Sequence, residues 1–236
     1  MAGAAVSILP GSVLGAEGKP AANDRINHAV IGCGGMGNGH IGIILADPQA
    51  KLVAVCDVDA KRLAAAQARG GPDCKAYRDF REMLASEDID CCHVVTPPHW
   101  HALQNVAALD AGCDVWAEKP MTRTIDEGQA VIDAVRRNGR VFRLNTWFRL
   151  QNTFYGLGTT VKPLKKLVMS GALGWPLTVR VSRHTGFHWK TSQWSGKINM
   201  PSEPVPPELD YDRWLGPAPF KPYFRHRTHG SFRGYW

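Results

Sequence analysis

From Ile26 to Arg149 the chain alternates two patterns. Short apolar runs bounded by glycine, aspartate or proline alternate with longer stretches whose apolar positions recur every three or four residues. The runs INHAVIG (26–32), AKLVAVCDVD (50–59), IDCCHVVTPP (89–98), DVWAEKP (114–120) and RVFRLNTWFR (140–149) predict strands, and CKAYRDF (74–80) a short extended piece. Between them GHIGIILAD (39–47), AKRLAAAQARG (60–70), FREMLASED (80–88), HWHALQNVAALDAGC (99–113) and TIDEGQAVIDAVRRNG (124–139) predict helices. The last of these opens with Thr124 and Glu127 at capping-box spacing. Strands alternating with helices of this length mean βαβ units on a parallel sheet with right-handed crossovers. The fold class is therefore α/β, with a doubly wound sheet over residues 23–150.

Beyond it the pattern changes. KPLKKLVMSGALG (162–174) predicts one more helix, and WPLTVRVSRH (175–184) alternates with period two, as a half-buried strand of a second sheet would. One helix and one strand cannot bury a face alone. Residues 151–236 read as the start of a second, incomplete α/β domain; the chain is expected to be an N-terminal portion of something longer, or the missing sheet to come from elsewhere. Residues 1–22 run from small and apolar to polar without a basic start. That is the pattern of an export-signal remnant or of a flexible arm, with a periplasmic or exported location the expectation and a cytoplasmic one the alternative. No apolar run reaches the roughly 20 residues that span a bilayer.

Charge sharpens the division. The net charge of +7 comprises −4 over residues 1–139 and +11 over residues 140–236. A basic half is either a solvated face or a site for an anionic ligand. No nucleic-acid motif accompanies it, so nucleic acid is not an expected partner. The six cysteines, Cys33, Cys56, Cys74, Cys91, Cys92 and Cys113, mostly fall in apolar runs and behave as small hydrophobes. No CxxC or Cys/His ligand spacing is present, and no metal is expected.

The chemistry concentrates at the strand ends. Gly32-Cys33-Gly34-Gly35-Met36-Gly37 fits G-x-G-x-x-G directly after a strand and at the start of a helix. Such glycines allow a tight turn, close approach of backbone to a pyrophosphate and close helix packing, with the helix N-terminus facing the phosphates. Asp57, 20 residues beyond Gly37, stands where a carboxylate accepts from a ribose 2′-OH and repels a 2′-phosphate. NAD is therefore favoured over NADP. The bland alternative is a glycine turn that binds nothing, with Asp57 or Asp59 capping a helix. Three further strand ends share that edge: Thr96-Pro97-Pro98-His99-Trp100-His101, Glu118-Lys119-Pro120 and Asn145-Thr146-Trp147-Phe148-Arg149. Pro120 ends a strand for want of an N–H. Lys119 is either a snorkelling surface lysine paired with Glu118 or a lysine held in a cleft.

The glycine motif, TPPHWHA and above all AEKPMT before a helix resemble the Gfo/Idh/MocA oxidoreductases over about residues 24–184. PPELDYDRWLGPAP (206–219) resembles a loop preceding the main sheet of that family's substrate domain. The resemblance implies a Rossmann domain followed by an open-faced α/β domain, and NAD(P)-dependent hydride transfer at a carbinol carbon of a sugar, inositol or related polyol. It maps the lysine that contacts the substrate hydroxyl onto Lys119, with Glu118 orienting it. It maps a cofactor-lining histidine onto His101, His99 carrying less weight. Gly32, Gly34, Gly35, Met36, Gly37, Asp57, Thr96, Pro97, His101, Glu118 and Asn145 form the expected cofactor site. Lys119, Trp147 and Arg149 form the expected substrate side. An ammonium beside the reacting oxygen stabilises developing negative charge. The family's later Asp and His have no counterpart among His184, His188, His226 and His229, which read as loop or surface residues. Trp189, Trp194 and Trp214 either stack on sugar rings or pack a loop. Two other functions stay open: a glycosidase working by transient oxidation and elimination on bound NAD, and a non-catalytic nucleotide-binding relic or sensor. The family's open-faced sheet also makes a homo-oligomer an expectation.

Overall fold

The computed structural model describes residues 21, 24–146, 161–178, 180, 197 and 200–234. Trp147, Phe148, Arg149, His184, His188, Trp189 and Trp194, and most of the stretch 1–23, lie outside the described residues. The chain divides into two units: residues 1–145 with 206–220, and residues 146–205 with 221–236.

The first unit is a six-stranded sheet. Its strands are β1 (Ile26–Ile31), β2 (Ala50–Cys56), β3 (Lys75–Tyr77), β4 (Cys91–Val94), β5 (Asp114–Glu118) and β6 (Phe142–Asn145). All neighbours pair in parallel, in the order β3-β2-β1-β4-β5-β6. That is the doubly wound dinucleotide-binding order, and it reverses between β1 and β4. The helices are α1 (Gly35–Ala46), α2 (Ala60–Gly70), α3 (Phe80–Ser86), α4 (Pro98–Asp110) and α5 (Ile125–Asn138).

Strand parity assigns the layers, because alternate residues face opposite sides. Ala29, Ile31, Cys92, Val94, Val115 and Ala117 face one side, where they pack with Phe80, Met83, Ala108, Leu109, Val131 and Ala134 of α3, α4 and α5. Val30, Leu52 and Val55 face the other and pack with Ile41, Ile44, Leu63 and Ala66 of α1 and α2. On that second side the β4–β5–β6 half carries His93, Trp116, Arg143, Glu118 and Asn145, cross-strand partners or next-but-one neighbours of one another. An apolar layer has become a polar one.

Helix starts separate into two classes. Asp59, Asp79 and Thr124 cap α2, α3 and α5 by accepting from first-turn backbone N–H groups. The expected capping box is half formed: Thr124 accepts from Glu127 N, but Glu127 reaches back to Arg123 N. Gly34 and Pro97, which precede α1 and α4, give no side-chain cap. Those two helices flank the reversal of strand order.

Residues 206–220 return to the first unit, as a short helix rather than only a loop. Leu209 bridges Asp59 in antiparallel fashion, and Lys61 pairs with Glu208. A helix spanning Tyr211–Leu215 follows, with Tyr211, Trp214 and Leu215 buried. In the second unit the described helix α6 runs Val161–Met169, ending short of the predicted Gly174 because Gly171 takes a left-handed φ of 74°. The strand predicted over 175–184 does not begin at Trp175, which is a correction at its described positions. Residues 175–178 and 180 are bends and irregular backbone, Trp175 is 86% exposed, and Pro176 has no N–H to give a ladder. The other positions of that stretch lie outside the described residues.

Gly216 closes the returning helix at φ 49°, where a Cβ would stand 2.1 Å from Trp100 Cζ2. Gly216→Ala is expected to undock this helix without melting the sheet. Hydrogen exchange should rise over residues 209–215 while β1, β2 and β4 stay protected; unchanged exchange at 209–215 would refute that dependence.

Candidate active site

The turn after β1 is built by exclusion of side chains. Gly32 has φ 94°, and a Cβ there would lie 2.9 Å from the Val95 carbonyl carbon at the end of β4. A Cβ on Gly37 would lie 1.9 Å from Gly32 O, so α1 leaves the turn at a distance only glycine permits. Gly35 has nothing within 4 Å of its would-be Cβ, and Met36 is exposed. An uncapped helix N-terminus with open space before it is what a pyrophosphate needs: free N–H donors and the positive end of the helix dipole. The residues present fit a dinucleotide.

Asp57 lies at the end of β2, facing this turn. Its Oδ2 accepts from Cys33 N at 2.7 Å and its Oδ1 from Asp59 N at 2.8 Å. Burial pushes its carboxyl up, while the two N–H donors and the Arg62 guanidinium oppose that. Asp57 thus fixes the glycine turn and keeps one further lone pair on each oxygen. Asp59, not Asp57, caps α2.

The segment after β4 holds three loops together. Thr96 Oγ1 bonds Gln104 Oε1 at 2.5 Å, and Pro97 sits at the N-cap of α4. His99 Nε2 and Trp100 Nε1 reach the Trp214 carbonyl at 2.8 and 3.2 Å. His101, 1% exposed, lies between the Thr96 carbonyl (Nε2, 2.8 Å) and the Pro120 carbonyl (Nδ1, 2.5 Å). Burial holds its pKa below the ordinary value, although both carbonyls oppose that. Its ring lies between the ends of β4 and β5 and, when neutral, donates to one of the two carbonyls at a time.

Glu118 ends β5 and is 4% exposed. Its Oε1 accepts from Asn145 Nδ2 at 2.6 Å and meets His40 Nε2 at 3.3 Å. Its Oε2 accepts from Lys119 N at 3.3 Å and stands 3.9 Å from Lys119 Nζ. Burial pushes the Glu118 carboxyl up, but the His40 and Asn145 contacts and the Lys119 ammonium outweigh it and leave it below the usual value. The Lys119 side chain is 48% exposed. It is a half-exposed ammonium tethered to a buried carboxylate, so the pair with Glu118 and the opening to solvent are both present.

Three histidines that no sequence motif singles out continue this site. His40 Nδ1 lies 2.9 Å from His93 Nδ1, and His93 Nε2 lies 2.9 Å from His28 Nδ1. His93 also stacks on Trp116, with ring centroids 5.5 Å apart. Burial, then His40 and His28, lower the His93 pKa to about 3. His28, Cys91 and His93 also bring one candidate ligand atom each within 4.8 Å of one another. Cys91 pairs with His28 across the β1–β4 ladder and shares its face with His93. A cross-strand group of this kind has no linear Cys/His spacing to read.

Comparison with known proteins agrees with this geometry. Residues 26–146 match the model of an oxidoreductase family's NAD-binding Rossmann fold, and residues 157–236 match that of the family's C-terminal alpha/beta domain. The D-apiose dehydrogenase of Paraburkholderia graminis is 30% identical over 163 residues, covering 69% of this chain and 41% of the relative. The inositol 2-dehydrogenase of Salmonella paratyphi B is 30% identical over 156 residues, covering 66% and 44%. The scyllo-inositol dehydrogenase of Lactobacillus casei, solved with bound NAD(H) and scyllo-inositol, superposes with a TM-score of 0.54 at 27% identity, covering 64% and 42%. The chain spans less than half the length of these relatives.

The buried histidines make stability depend on pH with a definite sign. His93, and likewise His28, His99 and His101, are held below the ordinary histidine value of 6.5, chiefly by burial. The unfolded chain therefore binds more protons than the folded one below 6.5, and stability rises with pH there. The contribution of His93 is complete above 6.5 and is lost as pH falls towards about 3. Glu118, also lowered, acts in the same sense below its ordinary 4.5. Urea unfolding between pH 6 and 4 is expected to lose stability at roughly 1.4 kcal/mol per unit or more, the slope of one proton. A flat profile would contradict a neutral His93.

Proposed function

This chain belongs to the Gfo/Idh/MocA family of oxidoreductases, and from that premise we propose that it serves NAD-dependent hydride transfer at a carbinol carbon of a sugar, inositol or related polyol. The observation that carries the reading is the pairing of Lys119 with a buried, clamped Glu118 on the sheet edge that also bears the open glycine turn. The dehydrogenase names of the relatives, and the NAD(H) and scyllo-inositol bound to one of them, support the cofactor and the substrate class.

The first-turn N–H groups of α1 hold the pyrophosphate, and Gly32, Gly34 and Gly37 keep side chains out of its path. Asp57 accepts from the ribose 2′-OH with the lone pairs left after Cys33 N and Asp59 N are satisfied. That charge disfavours a 2′-phosphate, so NAD is the cofactor of choice. The nicotinamide, when bound, supplies the hydride acceptor or donor. Lys119 Nζ exchanges the hydroxyl proton and stabilises negative charge on the oxygen. Glu118 is the counter-charge that fixes the ammonium, and Asn145 fixes Glu118. His101 positions the two strand-end loops through their carbonyls. Trp147 and Arg149, which follow Asn145 in sequence, are assigned to the substrate side.

Calorimetric titration is expected to give saturable binding of NAD+ and at least tenfold weaker binding of NADP+. Asp57→Ala should erase most of that preference. Lys119→Met should leave the NAD+ Kd within about twofold and lower NADH formation from a polyol such as myo-inositol by about 10²–10⁴-fold. Net NADH formation separates hydride transfer from a transient-oxidation elimination, which returns the cofactor unchanged. Equal binding of both dinucleotides, or undiminished turnover by Lys119→Met, would refute the respective assignment.

A further inference from the structure

The geometry points to a proton relay: His28, His93 and His40 form a file of rings that runs from Glu118, and through it Lys119, along one face of the sheet to the amino half of β1. The inference rests on the reading of Lys119 as the group that exchanges a proton with substrate. It adds a route by which that proton reaches or leaves solvent.

The file is hydrogen-bonded from His28 to Glu118, and Lys119 Nζ stands at ion-pair distance beyond it. Its links are His28 Nδ1 to His93 Nε2 at 2.9 Å, His93 Nδ1 to His40 Nδ1 at 2.9 Å, His40 Nε2 to Glu118 Oε1 at 3.3 Å, and Glu118 Oε2 to Lys119 Nζ at 3.9 Å. His93 and His40 are buried at 2% and 3% exposure, and His28 is half-buried at the outer end. His28 and His93 lie on one sheet face by strand parity, since His28 pairs with Cys91 and His93 with Val30. Trp116 and Glu118 follow on the same face. His40 enters from α1 and bridges the two ends.

With three neutral rings and an ionised Glu118, one proton assignment satisfies every link from His28 to the carboxylate. A neutral imidazole carries one N–H and one acceptor nitrogen. The ionised Glu118 only accepts, so His40 is protonated on Nε2 and accepts at Nδ1. His93 is then protonated on Nδ1 and accepts at Nε2, and His28 is protonated on Nδ1. Three neutral rings point their donors one after another at the carboxylate. A cluster kept only for packing has no need of such an order.

The order defines the step. A solvent proton adds to His28 Nε2 as His28 Nδ1–H passes to His93 Nε2. His93 Nδ1–H passes to His40 Nδ1, and His40 Nε2–H passes to Glu118 Oε1. One proton enters, one reaches the carboxylate, and each ring ends neutral on its other tautomer. A turn of the protonated carboxyl brings that proton from the His40 side to the Lys119 side, and it passes to the amine once the substrate oxygen has taken the lysine's own and Nζ has closed the 3.9 Å gap. The reverse sequence exports a proton in the direction that makes the carbonyl. The reverse passage, fed by solvent at Glu118 once the carboxyl edge reopens, restores the inward file. A dinucleotide and substrate covering the carboxyl edge exclude water there. A route that starts at the amino half of β1 stays open while that edge is closed.

Two measurements on the whole chain test this. In ¹⁵N-histidine spectra the relay requires N–H···N couplings between His28 and His93 and between His93 and His40, with His93 protonated on Nδ1. Absence of either coupling overturns it whatever the activity. In turnover of myo-inositol with NAD+, His93→Gln keeps volume and hydrogen bonding but cannot relay. It is expected to lower kcat at least tenfold and raise the solvent deuterium isotope effect, with the NAD+ Kd unchanged. His28→Gln, at the half-buried end, should move kcat and the isotope effect the same way and serves if His93→Gln does not fold. Unchanged kcat and isotope effect in these variants, where Lys119→Met is inactive, overturns the relay alone. Full activity in Lys119→Met overturns the reading of Lys119 instead, while the couplings still report whether the file exists.

Discussion

Taking a carboxylate out of water costs several kcal/mol unless hydrogen bonds and a counter-charge replace its hydration. Glu118, 4% exposed at the end of β5, imposes that requirement on its whole side of the sheet. Asn145 on β6, His40 on α1 and Lys119 on the following turn each supply part of what water would have given. His40 needs an acceptor and a donor in turn, which brings His93 and then His28. A face that would otherwise continue the apolar packing of Val30 and Val55 becomes a line of polar groups. Lys119 is held where it is because its partner cannot move.

The glycine turn answers a different constraint. Where the strand order reverses between β1 and β4, no strand-to-helix crossover fills the space beyond the carboxyl ends. Gly32 lies against Val95 and Gly37 against Gly32 O, so the backbone closes the floor of that space at glycine-only distances. The helices on either side, α1 and α4, lack side-chain caps, while α2, α3 and α5 have them. A side chain capping α1 would occupy the position a phosphate needs. The cap is missing where a ligand can take its place.

The sheet and its strand ends were legible because period-two and helical periodicities, glycines and prolines are local signals. Gly32–Gly37 and Asp57 could be read that way, His101 and Lys119 only through the family resemblance, and the structure sets Lys119 and Asn145 each against Glu118. His93 could not be read. It sits in Cys91-Cys92-His93-Val94, a run that looks apolar throughout, and only cross-strand register reveals that Cys91 and His93 share a face with His28. His40 looked like one polar residue on an apolar helix. The start of the strand expected at 175–184 differs for the converse reason: alternation is necessary for a half-buried strand, but pairing makes it one, and Trp175 and Pro176 have no ladder partner among the described residues.

One turn of helix does much of the assembling. His99, Trp100 and His101 are successive residues at the start of α4, and about 100° of rotation separates each side chain from the next. His99 and Trp100 are directed at the carbonyl that closes the 211–215 helix, and Trp100 fills the space left open by Gly216. His101 is directed inward at Thr96 and Pro120. A neutral imidazole has one N–H, so only one of those two carbonyls is satisfied by the His101 ring at a time. Burial keeps that ring neutral against two acceptors that would favour its charged form. The tautomer of His101 is therefore a choice between holding the β4 loop and holding the turn that carries Lys119. That choice depends on which carbonyl finds another donor, and a ligand approaching either loop would bring one.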